Sequence, residues 1–318
     1  MYTQYWKVVK QGFSNQSLLE QAVRILQQGG VLAIPTETTY GLAGSILNPQ
    51  AIKHLFEAKK RPKDKPLPIA ISSVDQIKFL AIDIPQECQT LTQQFFPGPL
   101  TIILKKHPNL LPEITSGNET VAIRFPFQSF TQRLISMVGC PVALPSANLS
   151  GTPSPTKASH VFEDLNGCIN GIIDGGNTTY GMDSTLLSLE NPAQPMILRR
   201  GIISRHMIEK VLKRRVQLVD QKNLSSISQF KPAIRLFYSW NEVMIYLKLS
   251  SKNKRLIMSS DSSSCIPSFD YFQLNSNNLY HGLRLGIRGK YSEILVYCSS
   301  QIKQNEPLLV RLKQIANT

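Results

Sequence analysis

No stretch of about 18 consecutive apolar residues occurs in this 318-residue chain, so the sequence holds no candidate membrane-spanning helix. The opening segment, MYTQYWKVVKQGFSNQ, lacks the basic-then-apolar shape of a signal peptide. Cysteine is sparse: Cys88, Cys140, Cys168, Cys265 and Cys298 are scattered, odd in number and without a CxxC pair. That usage argues against a disulfide framework or a cysteine zinc site and fits reduced thiols in the cytoplasm. The histidines (His54, His107, His160, His206 and His281) are isolated, and each reads as a surface or interface residue rather than a catalyst. GxxxxGK[ST], a GxGxxG after a strand, GxSxG and HExxH are all missing, which removes the phosphate-loop, dinucleotide, hydrolase-elbow and zincin readings.

Acidic residues run short in one part of the chain. Residues 1–200 hold 17 Lys/Arg against 14 Asp/Glu, and residues 201–318 hold 18 against 7, so +3 and +11 make up the net charge of +14. The basic last third reads either as a solvated surface or as attraction to a polyanion such as tRNA, and composition leaves both open.

The chain is long enough for two domains. In SLLEQAVRILQQGG, Ser17 and Glu20 form a capping-box pattern, Leu19, Ala22, Val23 and Leu26 share a face, and Gly29-Gly30 end the helix. The apolar run Val31–Ile34 reads as a buried strand. NPQAIKHLFEAKK reads as a helix capped by Asn48, with Pro49 in its first turn. LPIAI, LTIILKK, TVAIRF, PVALPSA, GIIDGG, STLLSL and MILRR read as strands, and helices are predicted around 84–95, 129–138, 157–165 and 204–215. Residues 214–233 have little periodicity and read as a linker. Beyond them IRLFYS, KRLIMSS and EILVYCS read as strands among further helices. The expected fold is α/β: a twisted mixed sheet flanked by helices over 1–213, a linker over 214–233, and a smaller Rossmann-like α/β domain over 234–318.

What the chain does have is a set of polar segments at strand ends. IPTETTYGLAGS (34–45) puts four hydroxyls (Thr36, Thr38, Thr39 and Tyr40) and the Glu37 carboxylate directly after an apolar run, as either a connecting loop or the floor of a ligand site. KKRPKDKPL (59–67) places five cations among prolines after a helix; FPGPLT fixes the entry to a strand. PSANLSGTPSP (145–155) offers hydroxyls and backbone amides of the kind that hold phosphate. GMDSTLLSL follows, and Arg199-Arg200 close the last strand of the series.

In this order, the segments resemble the YrdC-like threonylcarbamoyl-AMP synthases over residues 18 to about 205, and the two-domain layout is similar to their long form. The resemblance rests on Pro35-Thr36-Glu37-Thr38 with Tyr40-Gly41-Leu42, Lys59-Lys60-Arg61-Pro62, Pro97-Gly98-Pro99 with Thr101, Ala122-Ile123-Arg124, Ser146 to Gly151, and Ser184-Thr185. It implies that L-threonine, bicarbonate and ATP, with magnesium carried by the nucleotide, give threonylcarbamoyl-adenylate and pyrophosphate. The product would pass to a tRNA threonylcarbamoyl transferase partner. By the same resemblance Lys59, Arg61, Ser146 and Asn148 form the catalytic group around the phosphates. Arg61, Lys65, Thr120, Ser146, Ser154 and Arg199 bind ATP, and Thr38, Arg124, Leu144 (through its backbone) and Ser184 bind L-threonine. Glu37 is left between a structural acceptor and a site residue. The chemistry agrees, since nucleotidyl transfer asks for positioning and neutralisation of phosphate charge rather than a protein nucleophile.

The chain departs from the pattern at three places. Ala70 stands where many relatives carry histidine, Lys65 stands where they often carry asparagine, and Gln229-Phe230-Lys231-Pro232 is the nearest match to a HYAP-like segment in the linker. A carbamoyl-adenylating relative with another substrate and a non-catalytic RNA-binding module remain as alternatives.

Overall fold

The computed structural model describes residues 2–8, 15–219, 232–249, 254–261 and 268–316. The chain divides into two compact units, Met1–Ser150 with Ser154–Val219, and Gly151–Pro153 with Asp220–Thr318.

The first unit is built on one mixed sheet of eleven strands among the described residues: β1 (Gln4–Lys7), β2 (Leu32–Ile34), β3 (Gly41–Ser45), β4 (Ile69–Ala70), β5 (Leu100–Lys105), β6 (Thr120–Arg124), β7 (Val142–Ala143), β8 (Gly171–Asp174), β9 (Thr185–Ser188), β10 (Met196–Arg199) and β11 (Gln217–Leu218). Their order is β1-β8-β2-β3-β7-β4-β6-β5-β9-β10-β11. Pairing is parallel for β4 with β6 and for β5 with β9, and antiparallel for β5 with β6, β3 with β7 and β9 with β10. The expected mixed α/β fold is therefore observed.

The two-residue period of a strand explains how this sheet makes room for a site. In β5 and β6, Leu100, Ile102, Leu104, Val121 and Ile123 point into a core shared with Ile52 and Leu55 of helix Pro49–Lys59 and Leu91 of helix Gln86–Phe95. The alternate positions, Thr101, Thr120, Ala122 and Arg124, share the other face. Toward β2, β4 and β7, helices Asn15–Gln27 and Ser129–Val138 cover the sheet over Leu32, Ile34, Ala70 and Val142. Helix Pro49–Lys59 begins as expected: the Asn48 side chain accepts from the amides of Gln50 and Ala51, with Pro49 in the first turn.

Four details differ from the sequence reading. Helix Asn15–Gln27 starts two residues before Ser17, so Ser17 is not its cap. Gly41–Ser45, read as part of a loop, is a wholly buried strand paired with both β2 and β7. Alternation is invisible in GLAGS because both of its faces are covered. Within the expected linker, Val216 is buried, β11 adds to the sheet edge and Arg214 pairs with Glu87 at 2.6 Å, so residues 214–219 belong to the first unit. His160, expected at a surface or an interface, is buried, its Nδ1 accepting from the Thr156 amide. Gln229, Phe230, Lys231 and Cys265 lie outside the described residues.

The second unit carries a parallel sheet of four strands, β12 (Ala233–Phe237), β13 (Arg255–Ser259), β14 (Asp270–Gln273) and β15 (Glu293–Tyr297), in the order β12-β15-β13-β14. β14 had no counterpart in the sequence reading. Glu293 accepts from Arg235, Arg255 and Tyr246. Burial raises the Glu293 pKa, but these three donors outweigh it and hold the carboxylate at about 2. This is a closed ion cluster, with each cation answered inside the fold.

Candidate functional site

The segment Pro35–Tyr40 links two buried strands, and its hydroxyls divide into two jobs. Thr36 serves the backbone: its Oγ1 donates to Thr39 O at 2.6 Å and accepts from the amides of Thr38 and Thr39. Tyr40 is fully buried, with its hydroxyl donating to Gly176 O at 2.6 Å; burial and the Asp174 charge push its pKa up. Thr38 and Glu37 instead turn to Arg124 at the end of β6. Arg124 Nη1 donates to Thr38 Oγ1 at 2.8 Å, Nη2 to Glu37 Oε1 at 2.6 Å, and Nε to Gly98 O at 3.2 Å. A guanidinium has five N–H donors, so two have no partner among the described residues. Glu37 is 3% exposed, and its Oε2 is buried with no hydrogen-bond partner among the described residues. Leaving such an acceptor unmatched costs about 1–3 kcal/mol.

A second arrangement forms where helix Pro49–Lys59 ends. Lys59 is 1% exposed, and its Nζ donates to the carbonyls of Ser146 and Asn148, the latter at 2.7 Å. Its own carbonyl accepts from the Ser150 amide at 2.9 Å, so one residue clamps the loop after β7 from both ends. An antiparallel bridge between Gly41 and Ser146 and a bond from the Ala147 amide to Tyr40 O tie that loop to the Pro35–Tyr40 segment. Burial, reinforced by the Arg61 charge, pulls the Lys59 pKa down to about 7; Asp164 and Asp183 oppose that shift.

Two more arginines feel each other's charge and form no ion pair among the described residues. Arg61 Nε and Nη2 donate to the carbonyls of Lys65 and Pro66, which holds the basic turn in shape. Arg199, at the end of β10, donates to Ser184 O at 3.1 Å and to Ser184 Oγ at 3.0 Å. Ser184 Oγ lies 2.7 Å from Thr101 Oγ1 on β5. Burial first, and then the charge of Arg199, lowers the pKa of Arg61. Among the described residues three N–H donors remain on each arginine, and an anion is the natural partner for two cations that repel each other.

The structure therefore brings together Thr38 with Arg124, Lys59 with Ser146 and Asn148, and Arg199 with Ser184, while Arg61 lies within reach of the Arg199 charge. Ala70 is buried beside Arg124 on the neighbouring strand. Leu144 donates its amide to Pro68 O, and its side chain fills the space over Gly41. Ser154 donates to Asp183 Oδ1 at 3.1 Å. Lys65 is exposed and joins the turn through its carbonyl. Thr120 shares the face of Arg124 but sits four residues back along β6, roughly 13 Å away. Sequence reasoning did not assign Thr101 or Asp183 to the site; their signals are adjacency, Thr101 closing the PGP-T segment and Asp183 preceding Ser184.

Comparison with known proteins follows this geometry. The family model for Sua5, YciO and YrdC, described as telomere recombination, matches residues 24–201. The threonylcarbamoyl-AMP synthase of Bacillus subtilis is 45% identical over 215 residues, covering 67% of this chain and 62% of that protein. The protein of the same name from Pyrococcus abyssi is 46% identical over 192 residues, covering 60% and 56%. The chain thus aligns with less than two thirds of the length of these curated relatives. A crystal structure of Pyrococcus abyssi Sua5 complexed with L-threonine matches with a TM-score of 0.87 at 31% identity, covering 100% of this chain and 98% of that one.

Proposed function

Because the chain belongs to the Sua5, YciO and YrdC family, we propose that it is a threonylcarbamoyl-AMP synthase, joining L-threonine, bicarbonate and ATP into threonylcarbamoyl-adenylate with release of pyrophosphate. One observation carries this reading. The chain holds two kinds of cationic centre at its strand ends and turns, an arginine matched by a carboxylate and two arginines that form no ion pair among the described residues. The unmatched pair, Arg61 and Arg199, takes the phosphates of ATP, where forked donors suit phosphate oxygens. Lys59 acts mainly by holding Ser146 and Asn148 in place, so the loop presents its amides and hydroxyls with little reorganisation. Ser154 and Thr120 extend the nucleotide side. On the other side Arg124, Thr38, Ser184 and the Leu144 backbone hold threonine, whose carboxylate takes the remaining N–H groups of Arg124. The relative solved with L-threonine supports that half of the assignment.

Magnesium enters with the nucleotide in this reading. Among the described residues no group of three or more His, Cys, Asp or Glu side chains is arranged to hold a metal ion. The reaction belongs in the cytoplasm, and its product passes to a transferase that modifies tRNA. We assign catalysis to the first unit, which runs through Val219, and regulation or recruitment to the second, whose basic composition makes it a candidate tRNA contact. No described helix is long and apolar enough to cross a membrane.

The test is to incubate the purified chain with ATP, bicarbonate and L-threonine and to follow pyrophosphate and the adenylate by mass spectrometry. Threonine-dependent product is expected; product with another amine but none with threonine would replace this reading by a different carbamoyl-adenylating activity. Filter binding at low salt tests the tRNA contact, and no retention would remove it.

A further inference from the structure

We propose that Glu37 is the residue that recognises the amine of the amino-acid substrate, and that its pairing with Arg124 restricts this part of the site to zwitterions. The inference rests on the synthase reading, which puts an amino acid at Arg124. Buried acceptors in folded proteins are nearly always matched, so an unmatched carboxylate oxygen in a site calls for a cause. Glu37 Oε1 is spent on Arg124 Nη2, while Oε2 is buried and has no partner among the described residues. The nearby hydroxyls do not answer it. Thr36 is committed to Thr38 and Thr39, and Thr38 accepts from Arg124.

The pair therefore offers two kinds of unmet capacity side by side: spare N–H donors on Arg124 and a spare acceptor on Glu37. An α-amino acid carries a carboxylate and an ammonium on one carbon and meets both. A carboxylate without an amine leaves Oε2 unanswered, and a second carboxylate in its place meets a like charge at Glu37. The Tyr180 amide holds the Glu37 carbonyl at 2.8 Å, which fixes the backbone that carries this side chain.

Calorimetric titration of the full chain with L-threonine, with 3-hydroxybutyrate (threonine's skeleton without the amine) and with ATP tests this inference. The wild-type protein should prefer threonine, and Glu37→Gln should weaken threonine by about tenfold or more, the scale of a charge-assisted hydrogen bond, while ATP and 3-hydroxybutyrate stay within about twofold. Should circular dichroism show that Glu37→Gln does not fold, Glu37→Asp, which keeps the charge but draws it back by one methylene, should give the same selective loss. Equal loss of threonine and 3-hydroxybutyrate would reduce Glu37 to a support for Arg124 and overturn the inference. Unchanged threonine affinity would overturn it as well. Wild-type protein that binds ATP but no threonine would instead bring down the synthase reading and this inference with it.

Discussion

Arg124 has a carboxylate 2.6 Å away, whereas Arg61 and Arg199 form no ion pair among the described residues, and burial with the nearby Arg199 charge lowers the pKa of Arg61. Both centres are partly buried and both use part of their guanidinium to brace local backbone. They differ in net charge, and net charge sorts ligands. A matched arginine forms a neutral recess suited to a neutral zwitterion, while an unmatched pair holds a standing field for a polyanion. Glu293 in the second unit shows a further outcome: there one carboxylate is shared by two arginines and a tyrosine, and its oxygens are used within the fold.

The contrast can be broken first through stability. Arg124→Ala strands Glu37 as a buried charge, and urea unfolding should show a loss of about 3–5 kcal/mol. Arg199→Ala, which removes a repulsion, should cost far less; equal losses would erase the distinction. Lys59 provides a test by pH. Its pKa is about 7 in the folded chain against 10.5 for an ordinary lysine, so the unfolded chain binds a proton that the folded chain has lost between those values. Stability should therefore rise with pH across this window, by about 2 kcal/mol between pH 7 and about pH 9, and Lys59→Met should flatten the rise. Arg61→Ala should lower pyrophosphate release at least about tenfold, on the order of 1.4 kcal/mol, through weaker ATP binding. Lys65→Ala should change the same rate by less than about twofold, because the turn uses the Lys65 carbonyl and leaves the ammonium in solvent.

Much of this was legible in the chain because the signals are local. Asn48-Pro49 marks a helix start, and the polar segments at strand ends mark the loops of the candidate site. The buried strand Gly41–Ser45 was not legible, because a strand covered on both faces has no alternation and here carries two glycines. Arg124 and Ser184 could be named from the resemblance, but their partners could not, since Glu37 lies 87 residues from Arg124 and Thr101 lies 83 from Ser184. Lys59 reads as a phosphate ligand in sequence. In the fold its ammonium is spent on two carbonyls 87 and 89 residues away. These pairings depend on the order in which the sheet sets its strands side by side, which no short window of sequence records.

The central claim, that unmatched arginines read nucleotide and the matched one reads amino acid, is tested most directly by initial-rate kinetics of pyrophosphate release in Arg61→Ala and Arg124→Lys, varying ATP and L-threonine in turn. The account predicts a raised KM for ATP alone in the first variant and for L-threonine alone in the second. A rise in both constants together in both variants would contradict it.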